Sequence, residues 1–472
     1  MTFEAVIGLE IHAQLLTASK IFCGCSTAYG AEPNTQVCPV CLGMPGSLPV
    51  LNRAAVDYAI RAALALGCSV HKTSVFARKN YFYPDLPKGY QISQYELPLA
   101  TRGLFEGVRI TRVHLEEDAG KSLHEGFPDS ARKTYVDFNR TGVPLIEIVT
   151  EPDLRSGAAA ADFFTRLREV LVWLGVNDGN MEEGSLRCDA NVSVRRAGEQ
   201  ALGTKAEVKN LNSFRFLEKA LEHEIERQIE IVGEGGHVVQ ETRLWDAAAG
   251  RTVSMRTKEE AHDYRYFPDP DLPAVIVDAA RIAGIRSAMP ELPAARRKRL
   301  AVQYALPDYD ANHLTQSRAL ADYFESVVAA GAAAKAASNW IMGELARKLK
   351  EQGTDVSASP LTAERLAGLL MLIDTGTISG SMAKDVFEKM YASDRTAAAI
   401  VEAEGLSQID DEGHIAALIG QVVAANADAV AQYRAGKAST FGFLVGQVMR
   451  AAKGKANPKR VNELLQKALG SG

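Results

Sequence analysis

The sequence has no apolar run approaching the ~20 residues that a membrane-spanning helix needs. It also has no general excess of positive charge, because 53 Lys and Arg residues stand against 58 Asp and Glu residues. Any contact with a nucleic acid must therefore come from local basic stretches. The first residues lack the basic and apolar regions of a secretion signal. We expect a cytoplasmic protein with no membrane partner.

Two kinds of catalytic motif are also missing. Residues 119–122 resemble the end of a phosphate-binding P-loop, but position 115, where its first glycine belongs, is Leu115. Glutamine hydrolysis needs an activated nucleophile, and Cys68 and Cys188 have no recognisable motif around them. Residues 379–384 (SGSMAK) resemble the Ser–Ser–Lys catalytic set of amidases only weakly.

Changes of composition divide the chain. Its 472 residues, 47% of them hydrophobic, suffice for two to four domains. Residues 1–292 are rich in short β-like runs, glycine and proline, whereas residues 293–405 are alanine-rich with helical periodicity. A second boundary lies near residue 406, where a small helical tail, 406–472, begins. The sequence predicts an α+β protein, with an N-terminal domain on a largely antiparallel β-sheet followed by an all-helical domain and the tail.

Strand-like segments of the first domain alternate between apolar and polar side chains. The first segment places Glu10, His12 and Gln14 on one face, and Leu9 and Ile11 on the other. Two other segments gather polar side chains in the same way: Arg112, His114 and Glu116, then Arg187, Asp189 and Asn191. Such strands suit an antiparallel sheet that is packed on one side. Their polar face is either solvated or part of a metal–nucleotide site.

Carboxylates in otherwise apolar strands indicate where a metal could bind. Glu147 lies between Ile146 and Ile148, where an isolated charge is costly unless it is paired or metal-bound. Mg²⁺ prefers oxygen ligands, including one or two protein carboxylates. The residues that could supply a magnesium site are Glu10, His12, Glu116, Glu117 and Glu147. Salt bridges to Arg112, Lys121 or Arg140 are the alternative, and spacing alone does not decide between the two.

Four of the six cysteines have the spacing of a zinc site. Cys23 and Cys25 form one pair, Cys38 and Cys41 form a second pair, and twelve residues separate the two pairs. Two such pairs can close on one tetrahedral Zn²⁺, and four sulfur ligands leave no open position for a substrate. We therefore predict a structural zinc site. Four buried, reduced cysteines are the alternative.

The C-terminal segment changes from apolar to basic. An apolar helix over residues 441–449 passes into a stretch with five cations: Arg450, Lys453, Lys455, Lys459 and Arg460. A basic end on a small helical domain could hold an RNA backbone. A solvated charged face is the commoner explanation of such a pattern.

Several blocks of the sequence resemble the B subunits of the GatCAB amidotransferase family. They follow the family's order along nearly the whole chain: residues 6–12 (VIGLEIH), 79–85 (KNYFYPD), 89–94 (GYQISQ), 114–122 (HLEEDAGKS), 182–189 (EEGSLRCD), 209–214 (KNLNSF) and 263–268 (DYRYFP). Some family members lack the four cysteines, so the zinc prediction rests on this sequence alone.

The resemblance implies a function. The N-terminal domain, called a cradle in this family, would bind ATP, Mg²⁺ and the acceptor end of a misacylated tRNA, and the tail would be YqeY-like. The side-chain carboxylate of Glu on tRNA(Gln), with Asp on tRNA(Asn) as a second candidate, would be phosphorylated. Ammonia from the glutaminase subunit of the complex would then attack it, while the small third subunit wraps around the pair.

The resemblance also implies roles for particular residues. The residues that match the family's metal-site pattern are Glu10, His12, Glu116, Glu117 and Glu147. We expect Lys79, Lys205 or Lys209 to neutralise ATP phosphates, because transfer of a phosphoryl group to an anion needs such charges. The basic residues of the tail would then contact the tRNA body.

Two other functions remain open from sequence alone. A non-catalytic tRNA-binding scaffold would not need clustered carboxylates, so a wide separation of Glu10, His12 and Glu147 would favour it. A stand-alone ATP-grasp-like ligase acting on free amino acids is the other. The absent glutaminase motif and the long helical C-terminal half count against that ligase.

Overall fold

A computed structural model of the chain describes residues 2–124, 126–130, 132–257, 264–406, 412–452 and 456–470. The chain splits into two compact units, Met1–Leu292 and Pro293–Gly472. A sheet-rich region is thus followed by a helical one, which confirms the α+β prediction. The separate roles predicted for domains 1–292, 293–405 and 406–472 stay predictions.

All strands described by the structure lie in the first unit. They are β1 Phe3–Gln14, β2 Ser69–Val70, β3 Thr73–Ser74, β4 Ala77–Asn80, β5 Tyr90–Ser93, β6 Ala100–Phe105, β7 Val108–Glu117, β8 Lys121–Leu123, β9 Tyr135–Asp137, β10 Pro144–Thr150, β11 Leu186–Arg196, β12 Ala206–Lys209, β13 Glu241–Asp246, β14 Arg251–Thr257, β15 Phe267–Pro268 and β16 Val275–Ile276. Four helices accompany them: α1 Arg53–Ala65, α2 Gly157–Trp173, α3 Phe214–Gly233 and α4 Ala279–Ser287.

A nine-stranded sheet organises this unit, in the order β14-β13-β12-β11-β1-β10-β7-β6-β2. Only β12 and β13 pair in parallel within it, so the sheet is largely antiparallel as predicted. Glu106 and Gly107 join β6 to β7, both with positive φ, in the two-residue turn typical of tight hairpins. A smaller sheet, β15-β4-β5, brings β5 beside β7.

One face of the large sheet carries the hydrophobic core. Ile7, Leu9 and Ile11 of β1 are buried together with apolar residues of α1, α2 and α3. The helices begin at sequence-encoded caps, since Ser156 and Ser213 accept hydrogen bonds from the first turns of α2 and α3. Because side chains alternate along a strand, the polar residues of β1 must face the opposite side.

The second unit is helical. Its elements are α5 Pro293–Gln303, α6 Asp308–Leu314, α7 Arg318–Ala329, α8 Ala334–Trp340, a π-helical turn Ile341–Leu345, α9 Ala346–Gln352, a 3₁₀ turn Val356–Ala358, α10 Ala363–Asp374, α11 Gly380–Tyr391, α12 Ala397–Glu404, α13 Glu412–Ala425, α14 Ala427–Arg434, α15 Ser439–Ala451 and α16 Pro458–Gly470. Buried residues between Leu300 and Val401 form one core, and those between Ile415 and Leu469 form another.

No single helix among the described residues combines the length and apolar composition of a membrane span. Taken together, α13 and α14, which meet at a bend of 92°, pass that test by length and composition alone.

Candidate functional site

The core of the site is a row of side chains across three neighbouring strands. His12 of β1 is in register with Glu147 of β10, and Glu147 is in register with His114 of β7. His12 Nε2 lies 3.4 Å from Glu147 Oε2 and 3.7 Å from Glu116 Oε1. His114 Nε2 lies 3.5 Å from Glu116 Oε2 and 3.6 Å from Glu147 Oε2. The antiparallel register therefore converts three separate sequence motifs into one cluster.

The cluster extends toward β11. Glu10 is in register with Asp189, and its Oε1 lies 3.8 Å from His12 Nε2. Ligand atoms of Glu10, His12 and Asp189 lie within 4.8 Å of one another, as do those of His12, Glu116 and Glu147. Either of these two groups, which share His12, could therefore hold a metal ion.

The charges in this cluster are strongly coupled. Burial opposes protonation of His12, but its hydrogen bond to Glu147 and the charges of Glu147 and Glu116 outweigh burial and raise its pKa to about 9. Burial would raise the pKa of Glu147, yet His114, His12 and Arg112 hold it well below its usual range. Burial and the charge of Glu147 raise the pKa of Glu10. With its pKa raised, His12 can carry a positive charge that offsets the charge of the carboxylates.

Glu117 lies away from this cluster. Its carboxylate accepts from Lys88 Nζ and, at 2.8 Å, from the backbone N–H of Ile92. Burial raises its pKa although Lys88 opposes the shift. Glu116 and Glu117 are adjacent in one strand, so they point to opposite faces. The structure therefore brings Glu10, His12, Glu116 and Glu147 together and separates Glu117 from them.

The three predicted lysines occupy different places. Lys209 Nζ lies 2.5 Å from Asp189 Oδ2 and 3.2 Å from Glu207 Oε1, beside the cluster. Lys205 lines a cavity of about 310 Å³ that also includes Glu10. Lys79 Nζ lies 4.9 Å from the ring centre of Tyr264. Burial opposes the charge on Lys79, but Glu116 and Glu147 raise its pKa, so its ammonium lies within their electrostatic reach.

Other contacts were not assigned a role from sequence. Ser93 Oγ donates to Glu116 Oε2 at 3.0 Å. Arg112 donates to Glu147 Oε1 at 3.2 Å, which makes it both a neighbour of the cluster and one of the salt-bridge partners considered above. Arg187 donates to Asp118 Oδ2 at 2.9 Å, and its buried Nε has no hydrogen-bond partner among the described residues. Strand alternation indicated Arg112 and Arg187, whereas Ser93 appeared only within the family-like block 89–94, with no role assigned to it.

The four cysteines come together in a separate site. Cys23, Cys25, Cys38 and Cys41 have sulfur atoms within 4.8 Å of one another and could hold a metal ion such as zinc. The Cys23 thiol and the backbone N–H of Cys38 donate to Cys41, and with nearby Lys20 they lower the pKa of Cys41 to about 4 despite burial. A thiolate at this position is the form that binds a metal.

The predicted RNA-contact residues are only partly described. Arg450 lies in the last turn of α15, and Lys459 and Arg460 lie in the first turn of α16. Arg460 lies 3.0 Å from Glu412 and 3.2 Å from Glu463. Lys453 and Lys455 lie outside the described residues.

The chain is similar to one family along most of its length. Residues 5–283 match the family model described as the GatB/GatE catalytic domain, and residues 322–469 match the one described as the GatB domain. The chain is 56% identical to the B subunit of the aspartyl/glutamyl-tRNA(Asn/Gln) amidotransferase from Geobacter sulfurreducens, over 99% of this chain and 100% of that protein. It is 55% identical to the protein of the same name from Myxococcus xanthus, over 99% of each chain.

Proposed function

The chain belongs to the GatB family of amidotransferase B subunits, and on that premise we propose that it activates the side-chain carboxylate of a misacylated tRNA for amidation. The carboxylate of Glu on tRNA(Gln), or of Asp on tRNA(Asn), takes the γ-phosphoryl group of ATP, and ADP leaves. Ammonia then attacks the acyl phosphate, displaces inorganic phosphate and loses a proton to give the amide. The single observation that supports this most is the approach of Glu10, His12, Glu116 and Glu147 on one sheet face. A tRNA-binding scaffold would not need that cluster.

The donor set of the cluster fits a divalent cation. Glu116 and Glu147 are held as buried carboxylates, and oxygen donors are the ligands that Mg²⁺ prefers. These two residues would hold the ion, with Glu10 and His12 beside them. Bound there, Mg²⁺ would offset the charge of ATP phosphate oxygens. Ser93 and His114 contact the carboxylate of Glu116, so they would keep it in place.

Cationic side chains beside the cluster would bind the phosphates. Lys209 is placed next to the Glu10–Asp189 group, and Lys79 is within electrostatic reach of Glu116 and Glu147. Arg187 adds a guanidinium held by Asp118, and within the described part of the chain its Nε has no hydrogen-bond partner. These charges would neutralise two anionic reactants that otherwise repel each other, the γ-phosphate and the carboxylate.

The remaining assignments complete the proposal. The four-cysteine site would hold a structural Zn²⁺, because four sulfur ligands leave no position for a substrate. A glutaminase subunit would supply the ammonia, and a small third subunit would enclose the pair. The tail, with Arg450, Lys459 and Arg460, would contact the tRNA body.

ADP release tests the proposal. The chain would be assembled with its glutaminase and small partner proteins and assayed with ATP, with and without Glu-tRNA(Gln). We expect stimulation by the charged tRNA, and we expect EDTA to remove it while Mg²⁺ restores it. Tight tRNA binding without any stimulation would instead support the scaffold and place the ATP site on one of the partners.

A further inference from the structure

A second surface beside the cluster carries unusually exposed aromatic side chains. Phe82 is 86% exposed and Tyr83 is 52% exposed, both in the segment that follows β4. Phe267 of β15, the strand that pairs with β4, is 45% exposed. An exposed cluster of large apolar side chains is costly in water and commonly marks a binding surface.

These side chains line one open cleft of about 900 Å³, which we call the aromatic cleft. Its lining residues are Asn80, Tyr81, Phe82, Tyr83, Tyr264, Arg265 and Phe267. The ring centres of Tyr81 and Tyr83 are 6.0 Å apart, as are those of Tyr81 and Tyr264. The rings therefore contact one another edge to face, and those at the rim are open to solvent. The exposed ring faces at the rim can stack against a flat ring.

Lys79 is close to both the aromatic cleft and the candidate site. Lys79 Nζ lies 4.9 Å from the ring centre of Tyr264 and 5.8 Å from that of Tyr81, so one lysine borders both places. Despite burial, the charges of Glu116 and Glu147 raise the pKa of this lysine. On the other side, the Arg78 guanidinium lies 5.9 Å from the ring centre of Phe267, and its charge is already paired with Asp269 and Asp271. Aromatic faces beside the ammonium of Lys79 suit a ligand that combines a flat base with phosphates.

We propose that the aromatic cleft stacks the unpaired 3′-terminal nucleobase of the aminoacyl-tRNA. Single-stranded ends are recognised by aromatic stacking together with positive charge along the backbone. The inference rests on the proposed function, because it is the terminal nucleotide that carries the amino acid whose carboxylate must reach the cluster. Stacking of its base beside Lys79 would fix that nucleotide next to the acidic residues.

The adenine of ATP has the same stacking chemistry, but the cleft fits it less well. Small-molecule sites usually bury about 70–90% of the ligand in a mostly apolar pocket. The aromatic cleft is open, and its most prominent ring, Phe82, is almost fully exposed. A nucleic-acid strand can lie across such an open cleft and cover the exposed aromatic rings of the cleft when it binds.

The test uses the complex assembled with the glutaminase and the small partner, and a Glu-tRNA(Gln) with 2-aminopurine as its 3′-terminal base. Stacking quenches this fluorophore, so binding is measured without turnover. Phe82→Leu keeps apolar volume without a ring, and Phe82→Tyr restores the ring. Tyr309→Leu is the matched control, because Tyr309 is 72% exposed but lies in the helical unit. Phe82 contributes little to the core, so none of these changes should impair folding.

We expect Phe82→Leu to lose the quenching and to raise KM for the tRNA roughly 5- to 150-fold, the range that follows from the loss of one base–aromatic stack. The KM for ATP should stay unchanged, and Phe82→Tyr should behave as the wild type. Unaltered quenching in Phe82→Leu would overturn the proposal. A raised KM for ATP alone would overturn it in favour of ATP, and dissociation of the complex would overturn it in favour of a protein partner.

These results are distinguishable from failure of the proposed function. If the wild-type complex quenches the terminal base but releases no ADP, the aromatic cleft still binds the acceptor end although this chain does not activate the carboxylate. If it releases ADP normally without quenching the base, the activation stands and the cleft has another role.

Discussion

Replacement of Glu147 by glutamine probes the cluster at its centre. Glu147 is buried, and its two oxygens lie 3.2 Å from Arg112, 3.4 Å from His12 and 3.6 Å from His114. Glutamine has nearly the same shape and keeps one acceptor oxygen, so packing is preserved. The negative charge is lost, and with it the main cause of the raised pKa of His12. The proton on His12 then becomes easier to remove.

The magnitude follows from these contacts. A hydrogen bond to a charged group contributes about 1.5–3 kcal/mol, and glutamine retains part of it, so we expect stability to fall by about 1–3 kcal/mol. Loss of one preorganised electrostatic group at a reacting centre slows the chemical step by a factor on the order of 10² to 10³. Glu147→Gln should therefore lose ADP release at saturating Glu-tRNA(Gln), while its affinity for the tRNA stays nearly unchanged.

A matched control separates lost charge from lost stability. Glu224 is another fully buried glutamate, bonded to Arg227 and Gln228 on α3. Glu224→Gln should lower the unfolding temperature without slowing ADP release. If Glu147→Gln keeps near wild-type activity, the cluster is not the activation site. If it loses tRNA affinity and activity equally, Glu147 has a structural role only.

Three further changes test other parts of the structure. Purified protein should contain one zinc ion per chain, and Cys38→Ser should lower both the zinc content and the unfolding temperature; unchanged stability on metal removal would contradict a structural site. Removal of residues 406–472 should weaken tRNA binding more than it slows turnover at saturating tRNA, and unchanged affinity would refute the tail contact. Hydrogen bonds from Arg299, then Arg296, lower the pKa of Glu325 despite burial. The ionised carboxylate therefore stabilises the folded protein at neutral pH, and this stabilisation is lost as the pH falls through the folded-state pKa of Glu325. Glu325→Gln should thus destabilise the helical unit by about 1–2 kcal/mol at pH 7 and progressively less in acid, and a pH-independent loss would contradict this.

Strand alternation was the most informative sequence signal. It placed Glu10 and His12 on one face of β1, and the structure shows both on the face opposite the core. It also indicated that Glu116 shares a face with His114, and these two residues are in contact. The same rule separates Glu117 from Glu116, although the family resemblance assigns both to the metal site. The family pattern groups the adjacent glutamates, whereas the pleat of β7 divides them.

Contacts between segments that are distant in the chain account for the parts of the site that could not be predicted from the sequence. Ser93 reaches Glu116 because β5 runs beside β7, and no local pattern specifies that approach. The aromatic cleft joins residues 80–83 to residues 264–267, far apart in the chain. The cysteine cluster was predictable because its ligands are close in sequence. In contrast, the strand order that joins β1, β10 and β7 depends on the packing of the whole unit.

The most direct test of the account is to trap the activated carboxylate. The assembled complex would receive Glu-tRNA(Gln), ATP, Mg²⁺ and hydroxylamine without glutamine, so that hydroxylamine displaces phosphate from an acyl phosphate and leaves a hydroxamate on the tRNA. We predict hydroxamate from the wild type and almost none from Glu147→Gln at saturating tRNA. Hydroxamate formation at the wild-type rate by Glu147→Gln would contradict the claim that this cluster carries out the activation.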